Sequence, residues 1–217
     1  MITIVPTRGR NDNAKEFSRL FFENSSISDL VFGLDEDDQH QYERLEGVKY
    51  EVHPRLKVNG TLNLLAKKYC SEYEYLAFMG DDQRLRTPRW DETFYKVLKN
   101  KPLGLAYGDD LIQSERLPTS VVMDSRIVQI LGYMAPPCLT HMYIDNFWLD
   151  LGLRLQTLFY FPDVVIEHAH FSVGKANLDK TYLDSNNSNQ YAEDFAKYRK
   201  YLAEHFEDDV QKLLQAI

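Results

Sequence analysis

Cysteine is scarce in this 217-residue chain: Cys70 and Cys138 lie far apart, form no CxxC pair and leave no disulfide framework. Both read as buried thiols, and redox chemistry is excluded. No apolar run approaches the ~20 residues needed to span a bilayer. The opening MITIVPTRGR lacks the regions of a secretory leader, so a cytosolic protein is expected. An excess of positive charge is also missing. The formal net charge of −8 argues against a surface that tracks a long phosphate backbone, although it leaves room for a local basic groove. Phosphorylated small molecules fit such a chain, because a metal can supply the positive charge that the side chains lack. Solenoid-type repeats are absent. What is present, 44% hydrophobic and 27% charged residues, is the balance of a soluble globular protein with one substantial core.

Strands and helices alternate along the chain. Ile2 to Val5 is a β-branched run stopped by Pro6, and a helix follows, capped from Asn11, Asp12 or Asn13, with Phe17, Leu20 and Phe21 on one face. Leu30 to Leu34 predicts a strand ending at Asp35, Val48 to Val52 a third, Gly60 to Tyr69 a helix and Tyr75 to Met79 a fourth strand. Next, Thr87 and Pro88 predict a helix start, and Leu103 to Tyr107 a strand. Periodicity then weakens until helices at Ser125 to Leu131 and Ile144 to Leu155. Phe159 to Phe161 and Val164 to Ile166 predict two strands divided by a turn at Pro162 and Asp163. From Asn189, apolar residues including Phe195, Tyr198, Leu202 and Phe206 mark one long amphipathic packing helix, reached through the polar connection DSNNSNQ. This order predicts an α/β layer fold with a mainly parallel sheet.

Ligand sites in open α/β sheets lie at the carboxyl ends of the strands, where Thr7, Asp35, Asp81 and Asp82 fall. The stretch YLAFMGDDQRL runs a buried strand into two adjacent aspartates. Side by side, these repel unless a cation offsets them, and hard oxygen ligands suit Mg²⁺ or Mn²⁺; the alternative is a polar turn. The same pattern recurs in LGLAYGDDLI, where Asp109 and Asp110 are either a second use of the same device or only a turn. In IEHAHFSVGK an extended backbone puts His168 and His170 on one face, able to reach one ion or to serve as a surface pair, and imidazole shifts the choice towards Mn²⁺. Asp145, opening the helix of YIDNFW, either caps it or acts as a general base.

Taken in order, IVPTRGR, FGLDEDD, FMGDD with TPRWDE, YIDNFW and VVIEHAH resemble a GT-A glycosyltransferase, most of all the small family-2-like enzymes of bacteriophages and bacteria. The resemblance implies a single GT-A (Rossmann-like) α/β domain over residues 1–183, with a linker and amphipathic helix over 184–217. It implies a metal-dependent enzyme that moves a hexose or pentose from a nucleoside diphosphate sugar, UDP-sugar favoured, to an acceptor hydroxyl with inversion. Pro6, Thr7, Arg8, Arg10, Asp35, Lys57, Asn59 and Asp81 would bind the donor nucleotide. Asp82, joined by Asp81, His168 or His170, would hold Mn²⁺ or Mg²⁺, Asp145 would be the base, and Asp109, Asp110 and Trp148 would face sugar or acceptor. One departure stands out: the usual acid, any residue, acid pattern is replaced by Met79 two positions before Asp81, so a single aspartate, Asp82, is expected as direct ligand.

A GDD turn also occurs in nucleotidyl transferases and template-directed polymerases, but a short acidic domain leaves little room for a template. A glycoside hydrolase needs carboxylates about 5 to 9.5 Å apart across a sugar, which adjacent residues do not readily provide. A non-catalytic nucleotide-binding protein of the same fold is the remaining rival. The acceptor is left open between a hydroxymethylated DNA base and a protein, lipid or glycan. Arg84, Arg86, Arg89, Arg116 and Arg126 form either a local patch for DNA or a set of solvated, ion-paired surface residues.

Overall fold

Residues Ile2–Thr7 form the first strand, β1, carried through Pro6 rather than stopped by it, because its partners lie on both sides. The computed structural model describes residues 1–169, 174 and 188–216. Helix α1 (Asn11–Asn24) follows, then β2 (Asp29–Asp35), β3 (Val48–His53), α2 (Lys57–Tyr69), β4 (Tyr75–Phe78) and β5 (Gln83–Leu85). The next elements are α3 (Trp90–Leu98), β6 (Leu105–Asp109), β7 (Val121–Asp124), α4 (Ser125–Leu131), α5 (Ile144–Leu155) and β8 (Leu158–His168). Two helices close the chain, here α6 (Ser188–Glu204) and α7 (Phe206–Leu214).

The strands lie in the order β3-β2-β1-β4-β7-β6-β8-β5. Side chains alternate across the sheet with the period of two, so each face has its own core. Ile2 and Ile4 of β1, with Leu76 and Phe78 of β4, pack on the face covered by α2, α4, α5, α6 and α7. Val5, Leu30, Phe32 and Ala77 pack on the other, against Phe17 and Phe21 of α1 and Trp90 and Phe94 of α3. Two buried aromatics per helix, each contributing about 1.5–3 kcal/mol of burial, hold these short helices in place.

Several expectations need correction. The sheet is mainly parallel as expected, in four of the seven pairings among the described residues, but it also holds a strand the sequence did not show, β7, which runs antiparallel between β4 and β6. Val121 to Met123 is wholly buried on both faces and gains its ladder only from these distant neighbours. No turn divides β8; the Pro162-Asp163 region is a bulge, where the register to β6 jumps from Gly108↔Phe161 to Asp109↔Val165. Thr87 does not cap α3. Its hydroxyl donates to Asp163 O and accepts from Val165 N, tying the bulge, while Arg89 at φ 55° precedes the helix. None of the asparagines caps α1: Asn11 Oδ1 accepts from Glu43 N and Asn13 Oδ1 from Arg84, and Arg10 holds the cap position. The tail forms two helices, broken at His205, and Cys138 is exposed whereas Cys70 is buried. Most of the 184–190 connection lies outside the described residues; α6 already begins at Ser188.

Candidate active site

At the carboxyl ends of β1, β2 and β4 the sheet opens into a cavity of about 830 Å³, closed on its other side by the start of α5 and the first turn of α6. Both halves follow from topology. Parallel strands deliver Thr7, Asp35 and the Gly80–Asp82 turn to one edge. The helix dipole at the start of α5 faces them.

Thr7 Oγ1 donates to Asp81 Oδ2 at 2.6 Å and lies 3.2 Å from the Tyr42 hydroxyl, which also accepts from Arg10 N. Arg10 places Nη1 3.1 Å from Asp81 Oδ1 and 3.7 Å from Asp82 Oδ2, so one guanidinium spans both carboxylates. From the far strand, His168 Nε2 stands 3.5 Å from Asp82 Oδ1. That approach is fixed by backbone: Ala169 N donates to Asp82 O and His168 N to Asp110 O. Gly80 makes the turn fit, because a Cβ there would lie 2.7 Å from Asp82 Oδ1. Asp35 accepts from Arg8, which also forks onto Asp37.

Charges are strongly coupled here. Burial and the adjacent charge of Asp82 push the Asp81 carboxyl up, against the pull of Arg10 and Thr7. Burial would lower the His168 imidazole, but the hydrogen bond and charge of Asp82, with Asp110 and Asp145, raise it overall. Asp145 lies in the first turn of α5, lines the cavity and is raised by burial, with His168 opposing. Burial lowers His141, which lines the same wall.

The structure therefore brings Pro6, Thr7, Arg8, Arg10, Asp35, Lys57, Asp81, Asp82, Asp145, Trp148 and His168 to one cavity. Three expected residues are not among its lining. Asn59 is buried and spends its amide on Pro136 O and Leu139 O, holding the loop before α5. Asp109 accepts from Leu111 N and the Ser114 hydroxyl. Asp110 accepts from three successive amides, Ile112 to Ser114, and from Thr119 Oγ1, though its Oδ2 also lies 4.0 Å from His168. The second GDD is a turn, and Gly108 serves the sheet: a Cβ there would meet Val164 O at 2.2 Å. His170 lies outside the described residues. Sequence reasoning missed Asp38, Tyr42, His141, Gln190 and Tyr191. The last two come from α6, which lines the cavity as well as packing. Asp38 receives Gly9 N, and an Asp three residues past Asp35 was a visible signal.

No protein-family model matches the sequence, and a search of curated proteins finds no match. Solved structures do match. A mannosyltransferase from Pyrobaculum calidifontis, in complex with GDP-Man and Mn²⁺, is 11% identical, with a TM-score of 0.60 over 99% of this chain and 73% of that one. S. aureus TarS 1-349 in complex with UDP is 12% identical, at 0.56 over 85% of this chain and 68% of that one. A cytidylyltransferase from Leptospira borgpetersenii serovar Hardjo-bovis is 13% identical, at 0.51 over 75% of each chain. With its strand-end acidic turn and mixed sheet, the chain has the GT-A fold of nucleotide-sugar glycosyltransferases.

Proposed function

We propose that this protein transfers a sugar from a nucleoside diphosphate sugar to an acceptor hydroxyl, with a divalent cation as cofactor. The observation that carries the reading is the meeting of Asp82, His168 and Asp145 in one cavity on this fold. The structural neighbours were captured with GDP-Man and Mn²⁺ and with UDP, which supports the donor class.

The donor set fits a cation. Asp82 Oδ1 and His168 Nε2, one hard oxygen and one imidazole 3.5 Å apart, would hold a single Mn²⁺ between them. Among the described residues no three such side chains form a complete cage, which suits an ion that completes its shell with donor oxygens and water. When bound, the cation offsets the charge that develops on the leaving diphosphate. Asp81, held by Thr7 and Arg10, lies beside the direct ligand and orients ribose or a water. Arg8, Arg10, Asp35 and Lys57 line the side where the nucleotide binds. Asp145 takes the proton of the acceptor hydroxyl as its oxygen bonds to the anomeric carbon. The bond from that carbon to the diphosphate breaks, with the electron pair leaving on the phosphate. Direct displacement of this kind inverts the anomeric centre. Burial raises Asp145 towards the pH at which a base both accepts a proton and stays ionised.

A DNA acceptor is disfavoured by the arginines. Arg86, Arg89 and Arg126 pair with Glu167, Glu92 and Asp124, while Arg84 and Arg116 bond backbone carbonyls. Likeness to a cytidylyltransferase supports nucleotidyl transfer as a second reading. Calorimetry with UDP, GDP and their sugars, with and without Mn²⁺, tests the first: metal-dependent binding of one of them is expected, and its absence across the panel overturns the donor assignment. Release of pyrophosphate from a nucleoside triphosphate supplied with a sugar phosphate, with no transfer from the nucleoside diphosphate sugars, would select the second.

A further inference from the structure

Helix α6 carries two aromatic side chains that the core does not absorb. Tyr191 and Phe195, one turn apart, are 52% and 47% exposed, while Asp194, Tyr198 and Tyr201 on the inner face are buried. Beside them stands Tyr143, in the left-handed region at φ 67°, two residues before Asp145. Its ring meets Tyr191 edge-on at 5.6 Å, Phe195 at 5.6 Å and Tyr198 in a stack at 5.8 Å. A left-handed conformation costs a bulky residue about 1–2 kcal/mol, so something holds it there. Asp194 does, by accepting from the amides of Thr140, His141 and Met142 just upstream.

The exposed rings border a second, open depression lined by Tyr143, Ser188, Tyr191, Ala192 and Phe195. Tyr143 and Tyr191 also line the main cavity, so the two hollows share a wall, and Asp145, two residues after Tyr143, lines the main cavity. None of the five residues is charged. Cations nearby among the described residues are engaged: Lys57 with Gln190, Lys197 with Asp194, and Arg199 over the Phe195 ring at 5.9 Å. An uncharged hollow walled by aromatic rings inclined at 42° and 75° to Tyr143, with tyrosine hydroxyls on it, offers a ring face to the apolar C–H face of a neutral pyranose. A polyanion would need free cations along its backbone.

We propose that Tyr143, Tyr191 and Phe195 form an acceptor subsite that stacks a sugar ring of a neutral glycan, presenting its hydroxyl to Asp145. This deepens the glycosyl-transfer reading and rests on it for its role, though the binding itself can be measured alone. Saturation-transfer NMR with neutral oligosaccharides of glucose, mannose and N-acetylglucosamine, without donor or metal, is the direct test, with single-stranded DNA as a parallel arm. Ring C–H protons of at least one oligosaccharide should receive saturation. Tyr191→Ala and Phe195→Ala should each weaken that binding roughly tenfold, the loss of one stacked face, while Tyr191→Phe retains it. Urea unfolding of each variant separates loss of the platform from loss of the fold. Lack of contact with every oligosaccharide, equal binding by folded alanine variants, or DNA binding in place of sugar binding overturns the proposal. Donor binding is read separately by calorimetry on the unaltered protein. Donor binding without sugar binding removes this subsite and leaves transfer standing; sugar binding without donor binding overturns the transfer reading and the acceptor role with it, and leaves the three rings a sugar-binding surface.

Discussion

Asp194 is wholly buried in α6, yet the nearest cation, Lys197, is 3.5 Å away on a half-exposed side chain. Its carboxylate is satisfied mainly by three amides of the loop that precedes α5: Met142 N and His141 N at 2.9 Å and Thr140 N at 3.2 Å. Replacement by alanine orphans all three at once. Hydrogen bonds to a charged acceptor contribute about 1.5–3 kcal/mol each, but the loop is half-buried and water can reach part of it, so a total loss of about 3–5 kcal/mol is expected. With a urea m-value of about 2.5 kcal/mol/M for a chain of this size, the midpoint should fall by about 1.2–2 M. Asp194→Asn keeps an acceptor without the charge and should lose roughly a third to a half of that. Protonation provides an internal check. Burial would raise this carboxyl, but the three amides and Lys197 lower it overall. A lowered folded pKa contributes stability that is fully present above the unfolded value of about 4 and is lost as pH falls through the folded value. The gap between the natural protein and Asp194→Ala should therefore be constant from pH 5 to 7 and shrink below pH 4. An unchanged midpoint in Asp194→Ala, or a gap that stays constant to pH 2, would refute the clamp.

The remaining predictions concern the cavity. Asp145→Asn should retain nucleotide binding in calorimetry and lower transfer by about 10²–10⁴-fold; equal turnover would remove Asp145 from the base role. In the natural protein the acid limb of the transfer rate should lie above the ordinary carboxylate range, because burial raises the Asp145 pKa and protonation disables it; a limb at pH 4 or below contradicts this. Gly80→Ala drives a Cβ to 2.7 Å from Asp82 Oδ1 and should displace that carboxylate from His168, weakening Mn²⁺-dependent nucleotide binding about 10–100-fold in a protein that still folds. Unaltered Mn²⁺ dependence would show that Asp82 does not depend on this turn.

Legibility in the sequence follows the range of the forces involved. β1, β2 and β4 were readable because a β-branched or apolar run buried on both faces leaves a continuous local signal, and their polar ends had to lie at one edge. Val121–Asp124 and Gln83–Leu85 were not, since each is short and becomes a strand only through partners distant in the chain. The contribution of α6 to the cavity was hidden by its own aromatic stripe. Phe195, Tyr198 and Phe206 were read as one packing face, but only Tyr198 of the three is buried: Phe206 packs half-buried against the core beside Tyr201, and Phe195 faces outward beside Tyr143. His141 and Asn59 show the same limit: which one faces the cavity and which one props a loop depends on where Pro136 and Leu139 pass.

The repeated GDD shows how hydrogen-bond accounting separates a site from a turn where residue identity cannot. At residues 108–110 the chain doubles back through Leu111 to Thr119, and its own amides and hydroxyls fill both carboxylates; a ligand there would have to break Asp110 Oδ1 away from three N–H donors. At residues 80–82 the chain makes one tight turn, closed by Gln83 N donating to Gly80 O, and enters β5 directly. Asp81 and Asp82 are met by Thr7, Arg10 and His168, groups drawn from β1, its following loop and β8. Carboxylates met by side chains from other elements can change partners without unfolding their own loop, whereas those held by their own backbone cannot. The chain after each pair is therefore where the two copies differ: a single turn into β5 follows one, and a loop folded back onto both carboxylates follows the other.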